Sequence, residues 1–73
     1  MSSRPYHLLN EKSSVVGCYY SDPVRALDGA LRRTQWQEVG TTVEVVNVDS
    51  GRLVGTYTRH AAGQITFWRN RNG

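Results

Sequence analysis

The residues with the chemistry for covalent catalysis are Cys18, His7 and His60. A thiol beside an imidazole makes a nucleophile and a base, but the imidazole needs a third group to orient it. No such pattern surrounds Cys18. Its neighbours, Val15-Val16-Gly17 and Tyr19-Tyr20, are those of a strand, where a cysteine is expected to be a small, inert, buried group. One cysteine and two distant histidines do not have metal-ligand spacing. Asp22, Asp28, Glu38 and Glu44 show no pairing that acid–base chemistry requires and read as solvated carboxylates. Gly51 and Gly63 fall in turns between strands, not in a strand-to-helix loop that could cradle phosphate. The expectation is a non-enzymatic protein with no metal, no cofactor and no small-molecule substrate.

Binding is the remaining chemistry, and three stretches could carry it. The first is Phe67-Trp68-Arg69-Asn70-Arg71, with Arg59 and Tyr57 expected on the neighbouring strand. Arginine beside aromatics can stack bases and neutralise phosphate; tryptophan, tyrosine and arginine are equally the usual anchors of protein interfaces. A core Phe67 beside merely solvated arginines has the same appearance. The second is a helix face bearing Arg25, Arg32, Arg33 and Trp36, which also reads as a solvated helix back. The third is the strand edge formed by Tyr6 and Leu8 or by Val15, Val16 and Tyr19, where an extended peptide could add a strand.

The elements that must position these residues follow from turn chemistry and periodicity. Residues 41–48, 53–59 and 64–69 read as three consecutive strands, joined by Asp49-Ser50-Gly51-Arg52 and Ala61-Ala62-Gly63. Asp49-Ser50-Gly51 fits a type I turn with glycine in the left-handed position, which makes a hairpin with a bulge. Strict alternation in the second of these strands sets Val54, Thr56 and Thr58 against Leu53, Tyr57 and Arg59. Upstream, residues 6–9 and 15–20 read as two short strands around the polar turn at residues 10–14. Gly17 within the second suggests a bulge or a close backbone approach.

Ser21-Asp22-Pro23 is a helix start: an oxygen side chain caps the first N–H groups, and proline's missing donor costs nothing there. The helix is expected over residues 23–37, ending by Gly40, with Val24, Leu27 and Leu31 as its apolar stripe and Ala30 beside them. Gly29 costs about 1 kcal/mol against alanine in a helix interior, so close packing is one reason for it. The order β-β-α-β-β-β predicts an α+β fold: a small antiparallel sheet with one helix packed on one face. Alternate valine, isoleucine, phenylalanine and tyrosine residues would complete the core.

Seventy-three residues make one small domain, with a loose arm at 1–5 and a polar tail at 70–73. The net charge is +3, and eight of the nine bases are arginine, Lys12 being the exception. Residues 51–73 hold Arg52, Arg59, Arg69 and Arg71 and no acid. Arginine's planar fork suits carboxylates, phosphates and aromatic faces, so an acidic protein and a nucleic acid fit about equally well. A single cysteine excludes an internal disulfide and points to a reducing compartment. There is no apolar signal region, no run of the roughly 20 apolar residues that a membrane span needs, and Ser2 stands where myristoylation requires glycine. A cytoplasmic monomer with no membrane contact is expected.

Ser21-Asp22-Pro23-Val24-Arg25-Ala26-Leu27-Asp28 and Gly63-Gln64-Ile65-Thr66-Phe67-Trp68-Arg69, in a short arginine-rich chain without an enzyme motif, resemble the small phage-encoded transcription regulators of the lytic Xanthomonas phage type. The resemblance extends over the whole length as size and character and transfers no functional residue by position. It implies a partner, bacterial RNA polymerase, through a segment of a large subunit, in the cytoplasm of the bacterial host. It also implies an action: inhibition of host transcription initiation and antitermination at terminators, without chemistry. Direct phosphate contact by the Arg/aromatic C-terminal strand is the alternative.

Overall fold

The computed structural model describes residues 3–69, so Arg71 and the expected polar tail lie outside the described residues. Along the chain come β1 (Tyr6–Asn10), α1 (Pro23–Gln35), β2 (Thr42–Asn47), β3 (Arg52–Arg59), a single 3-10 turn (Ala61–Gly63) and β4 (Ile65–Arg69). The strands form one antiparallel sheet in the order β1-β2-β3-β4, with α1 lying over β1, β2 and β3. The α+β architecture, one helix on one face of an antiparallel sheet, is therefore the one the sequence predicts.

Short-range hydrogen bonds set the turns. Asn10 Oδ1 accepts from Lys12 N–H at 2.9 Å and Ser14 N–H at 3.0 Å, which turns the chain back along β1. Asn47 Oδ1 does the same between β2 and β3, accepting from Asp49 N–H at 3.0 Å and Ser50 N–H at 3.2 Å. Gly51 closes that turn at φ +73°, where a side chain would be strained, and its N–H donates to Asn47 O at 2.7 Å. Asp22 caps α1 by accepting from Val24 N–H at 3.3 Å, with Pro23 at the first helical position.

One expected strand does not form. Residues 15–20 touch β1 through two isolated bridges, Leu9 with Val15 and Tyr6 with Tyr20, so the order is β-α-β-β-β. Gly17 at φ +70° breaks the extended run. The segment still satisfies the outer edge of β1. Val16 N–H donates to Leu8 O at 2.8 Å, and Tyr6 and Tyr20 exchange bonds of 3.0 and 2.9 Å.

The helix buries a different stripe from the expected one. Ala26, Ala30 and Thr34, spaced i, i+4, i+8, are fully buried, whereas Val24 is 70% exposed. Leu27 packs from the side and Leu31 is half-buried. Small residues let the helix settle close to Leu8, Val43 and Val45, the buried side chains beneath it. The Thr34 hydroxyl escapes an unpaired burial by donating to Ala30 O at 2.7 Å.

The β2–β3 register shifts between Val45 and Val46, which oppose Gly55 and Leu53. Val54 is thus an extra residue on β3, and the bulge turns it onto the core with Tyr57 instead of outward with Thr56 and Thr58. The helix does not extend over β4, so Phe67 stays 43% exposed rather than joining the core. Its ring rests on Tyr57, with centroids 4.7 Å apart. A Cβ on Gly55 would come within 2.6 Å of that ring, so any larger residue here would have to displace Phe67 from its place on Tyr57.

Candidate partner-binding surfaces

Residues paired across strands share a face of the sheet. One row on the face away from α1 runs Val15, Leu9, Glu44, Thr56, Trp68. Beside it runs Thr42, Thr58, Thr66, and the last threonine's Oγ1 lies 2.7 Å from His60 Nε2. His7 and Val46 pair on the same face, and the Tyr19 ring stacks on His7 with centroids 3.9 Å apart and planes 13° apart. Three expected anchors are therefore exposed around one face: Val15 at 46%, Tyr19 at 50% and Trp68 at 58%.

The other expected anchors separate from these. Leu8 is 1% exposed, while Tyr6 and Val16 pack against the core, so none of the three is available as a projecting anchor. The β1 edge is not open either, because residues 14–20 occupy its hydrogen-bonding groups. The C-terminal cluster divides across the sheet. Trp68 pairs with Thr56 on the outward face; Arg59 and Arg69 pair with Ile65 and Gly55 on the helix side. Arg59 Nη1 donates to Gln35 O at 2.6 Å, which ties β3 to the helix C-terminus and uses the guanidinium structurally. Its Nε is buried without a hydrogen-bond partner among the described residues. Arg69 is exposed. The open edge is that of β4: it pairs with β3 on one side and, among the described residues, with nothing on the other.

His7 and Leu9 entered the sequence reading as a possible base and as part of a short strand. Alternation along β1 carries the signal that was missed: if Tyr6 and Leu8 face the core, His7 and Leu9 face away. Cys18 is exposed, not buried, because Gly17 interrupts the strand that would have enclosed it. Among the described residues no group of three or more His, Cys, Asp or Glu side chains could hold a metal ion. No helix among them is long and apolar enough to cross a membrane.

A second concave surface lies between the C-terminal half of α1 and residues 17–20. It is an open groove of about 440 Å³, with Gly17, Cys18 and Tyr20 on one side and Arg32, Arg33, Trp36 and Gln37 on the other. Three of the four residues of the expected helix face, all but Arg25, meet here. Arg32 is held by Asp28 at 3.3 Å.

Beneath the helix, burial and then the Asp28 carboxylate raise the Tyr57 phenol above its ordinary value of 10.0. The folded value lies above the unfolded one, so this contribution to stability is complete below the unfolded value. It is lost as pH rises through the folded value. Melting temperatures above about pH 10 should therefore fall more steeply in the native protein than in Tyr57→Phe. Parallel alkaline profiles would show that Tyr57 is not responsible.

The chain matches no family model, no curated protein and no solved structure.

Proposed function

We propose that the protein is a non-enzymatic regulator that binds bacterial RNA polymerase, inhibiting initiation at host promoters and promoting read-through at terminators. The observation supporting it is the exposure of Val15, Tyr19 and Trp68 around one sheet face: Val15 and Tyr19 beside β1, and Trp68 at the opposite end on β4, whose outer edge is unpaired among the described residues. Aromatic anchors on a fixed scaffold lose little entropy on docking, which is the economy that interface hot spots use. The resemblance to phage-encoded transcription regulators supplies the polymerase as partner. Such a regulator acts by differential affinity: it shifts polymerase only as far as it prefers one conformation over another.

The nucleic-acid alternative has weaker support. Arg59 is engaged with Gln35, Trp68 lies across the sheet from Arg69, and the row containing Trp68 includes Glu44. The test is retention of purified polymerase on immobilised protein after nuclease treatment and across a salt series. Polymerase should be retained, and Tyr19→Ala with Trp68→Ala should weaken retention at least about tenfold. Loss of binding on nuclease treatment, with a steep salt dependence, would replace this reading with the nucleic-acid one. Undiminished binding by the double variant would move the interface off this face.

A further inference from the structure

We propose that the groove between α1 and residues 17–20 is a second docking site, one that takes an acidic peptide segment of a partner protein. Arg33 binds a carboxylate there, and an apolar side chain of the same segment lies on the Trp36 ring. The site stands independently of the polymerase reading and lies away from the face carrying Trp68.

Trp36 is 88% exposed at the C-cap of α1, although an indole is among the side chains with most to gain from a partner. Arg33 lies along the Gly17 backbone: a Cβ there would be 3.2 Å from its Nε and 3.4 Å from its Nη2. A glycine thus makes room for the guanidinium against the groove wall. Among the described residues Arg33 has no ion pair, whereas Arg32 is paired with Asp28. The helix C-terminus does not consume Arg33 either. Trp36 N–H donates to Arg33 O, Gln37 N–H to Thr34 O, and Arg59 to Gln35 O. The groove therefore presents one uncompensated, oriented, bidentate cation beside an open aromatic face.

That composition selects a peptide over a nucleic acid. A polyanion is held by a track of cations, each neutralising one phosphate. Here, of the two arginines lining the groove, Arg32 is already balanced by Asp28, which leaves Arg33 as a single uncompensated guanidinium rather than a track. One carboxylate with an apolar neighbour satisfies both walls.

The probe is a short blocked peptide in which glutamate alternates with leucine and phenylalanine. In a Trp68→Phe background Trp36 is the sole indole, so its emission reports on the groove. Cys18, the single cysteine, lies in the same groove and reports through its rate of maleimide labelling. The peptide should shift Trp36 emission saturably and slow Cys18 labelling. Arg33→Gln should weaken both effects about tenfold with an unchanged circular dichroism spectrum. Trp36→Ala, read by Cys18 labelling, should weaken protection as well. The proposal is overturned if the acidic peptide gives no saturable response, or if its lysine-for-glutamate counterpart protects equally. Equal binding by Arg33→Gln, or tighter binding of oligothymidylate than of the peptide, overturns it too. Polymerase retention measured on Arg33→Gln keeps the two readings apart, since each can fail while the other holds.

Discussion

Leu8→Ala is expected to leave the protein largely unfolded at room temperature. Leu8 is 1% exposed and packs with Ala26, Ala30, Val43 and Val45, a core otherwise built from small side chains. Leucine-to-alanine changes at such sites cost about 2–5 kcal/mol, more where neighbours cannot close the cavity. Here the backbone on both sides of Leu8 is held, by β2 and by the Val16 N–H bond, so collapse is restricted. A disulfide-free domain of this length has only a few kcal/mol in total, so one such cavity matches its whole stability. Urea titration followed by circular dichroism reads the result. Val15→Ala, at a position 46% exposed, is the matched control and should shift stability by no more than about 0.5 kcal/mol. A folded Leu8→Ala protein with a midpoint close to the native one would show that the core is not organised around this residue.

The second large effect concerns Gly29, where two forces oppose. Alanine is the better helix former by about 1 kcal/mol, so helix propensity predicts stabilisation. Packing predicts the reverse. A Cβ on Gly29 would meet Tyr20 Oη at 2.2 Å and Cζ at 2.6 Å. Tyr20's partly buried ring packs against the core, which resists its displacement. Overpacking of this kind costs typically about 1–3 kcal/mol, so Gly29→Ala should be net destabilising. Tyr20→Leu withdraws the phenol, and in that background the same substitution should become neutral or stabilising, by up to about 1 kcal/mol. Thermal melts of the four proteins close the cycle. An additive result would mean that Gly29 is not retained for the tyrosine.

The Gly29 position also shows how far a sequence can be read. That glycine was legible as costly, and close packing was one of the reasons open for it, but the identity of the neighbour was not. Tyr20 and Gly29 belong to different elements, and nothing local brings them together. Arg59 makes the same point more strongly. It read as part of a basic cluster with Trp68 and Arg69, yet its guanidinium ends on Gln35 O, 24 residues away in sequence. Alternation sends Trp68 to one face and Arg69 to the other, and the helix, which stops short of β4, decides that Phe67 stays half open. The candidate surface therefore differs from the expected cluster. It keeps Val15, Tyr19 and Trp68, sets aside Leu8 as core and Tyr6 and Val16 as packed against it, and gains His7 and Leu9.

What the chain carries locally came through well. The start of α1 at Ser21-Asp22-Pro23, the turn after Asn10 and the turn at Asn47 to Gly51 are each closed by hydrogen bonds between residues at most four apart. Such bonds need only the right side chain at the right offset, so residue types and spacing suffice to place them, and with them the α+β class. What distance decides did not come through. Which helix residues are buried depends on how near α1 can lie to Val43 and Val45; which way Val54 turns depends on a slip in register against β2. Each is settled by packing between segments far apart in the chain, where a change of one residue in register or of one methyl group in size alters which face a side chain takes.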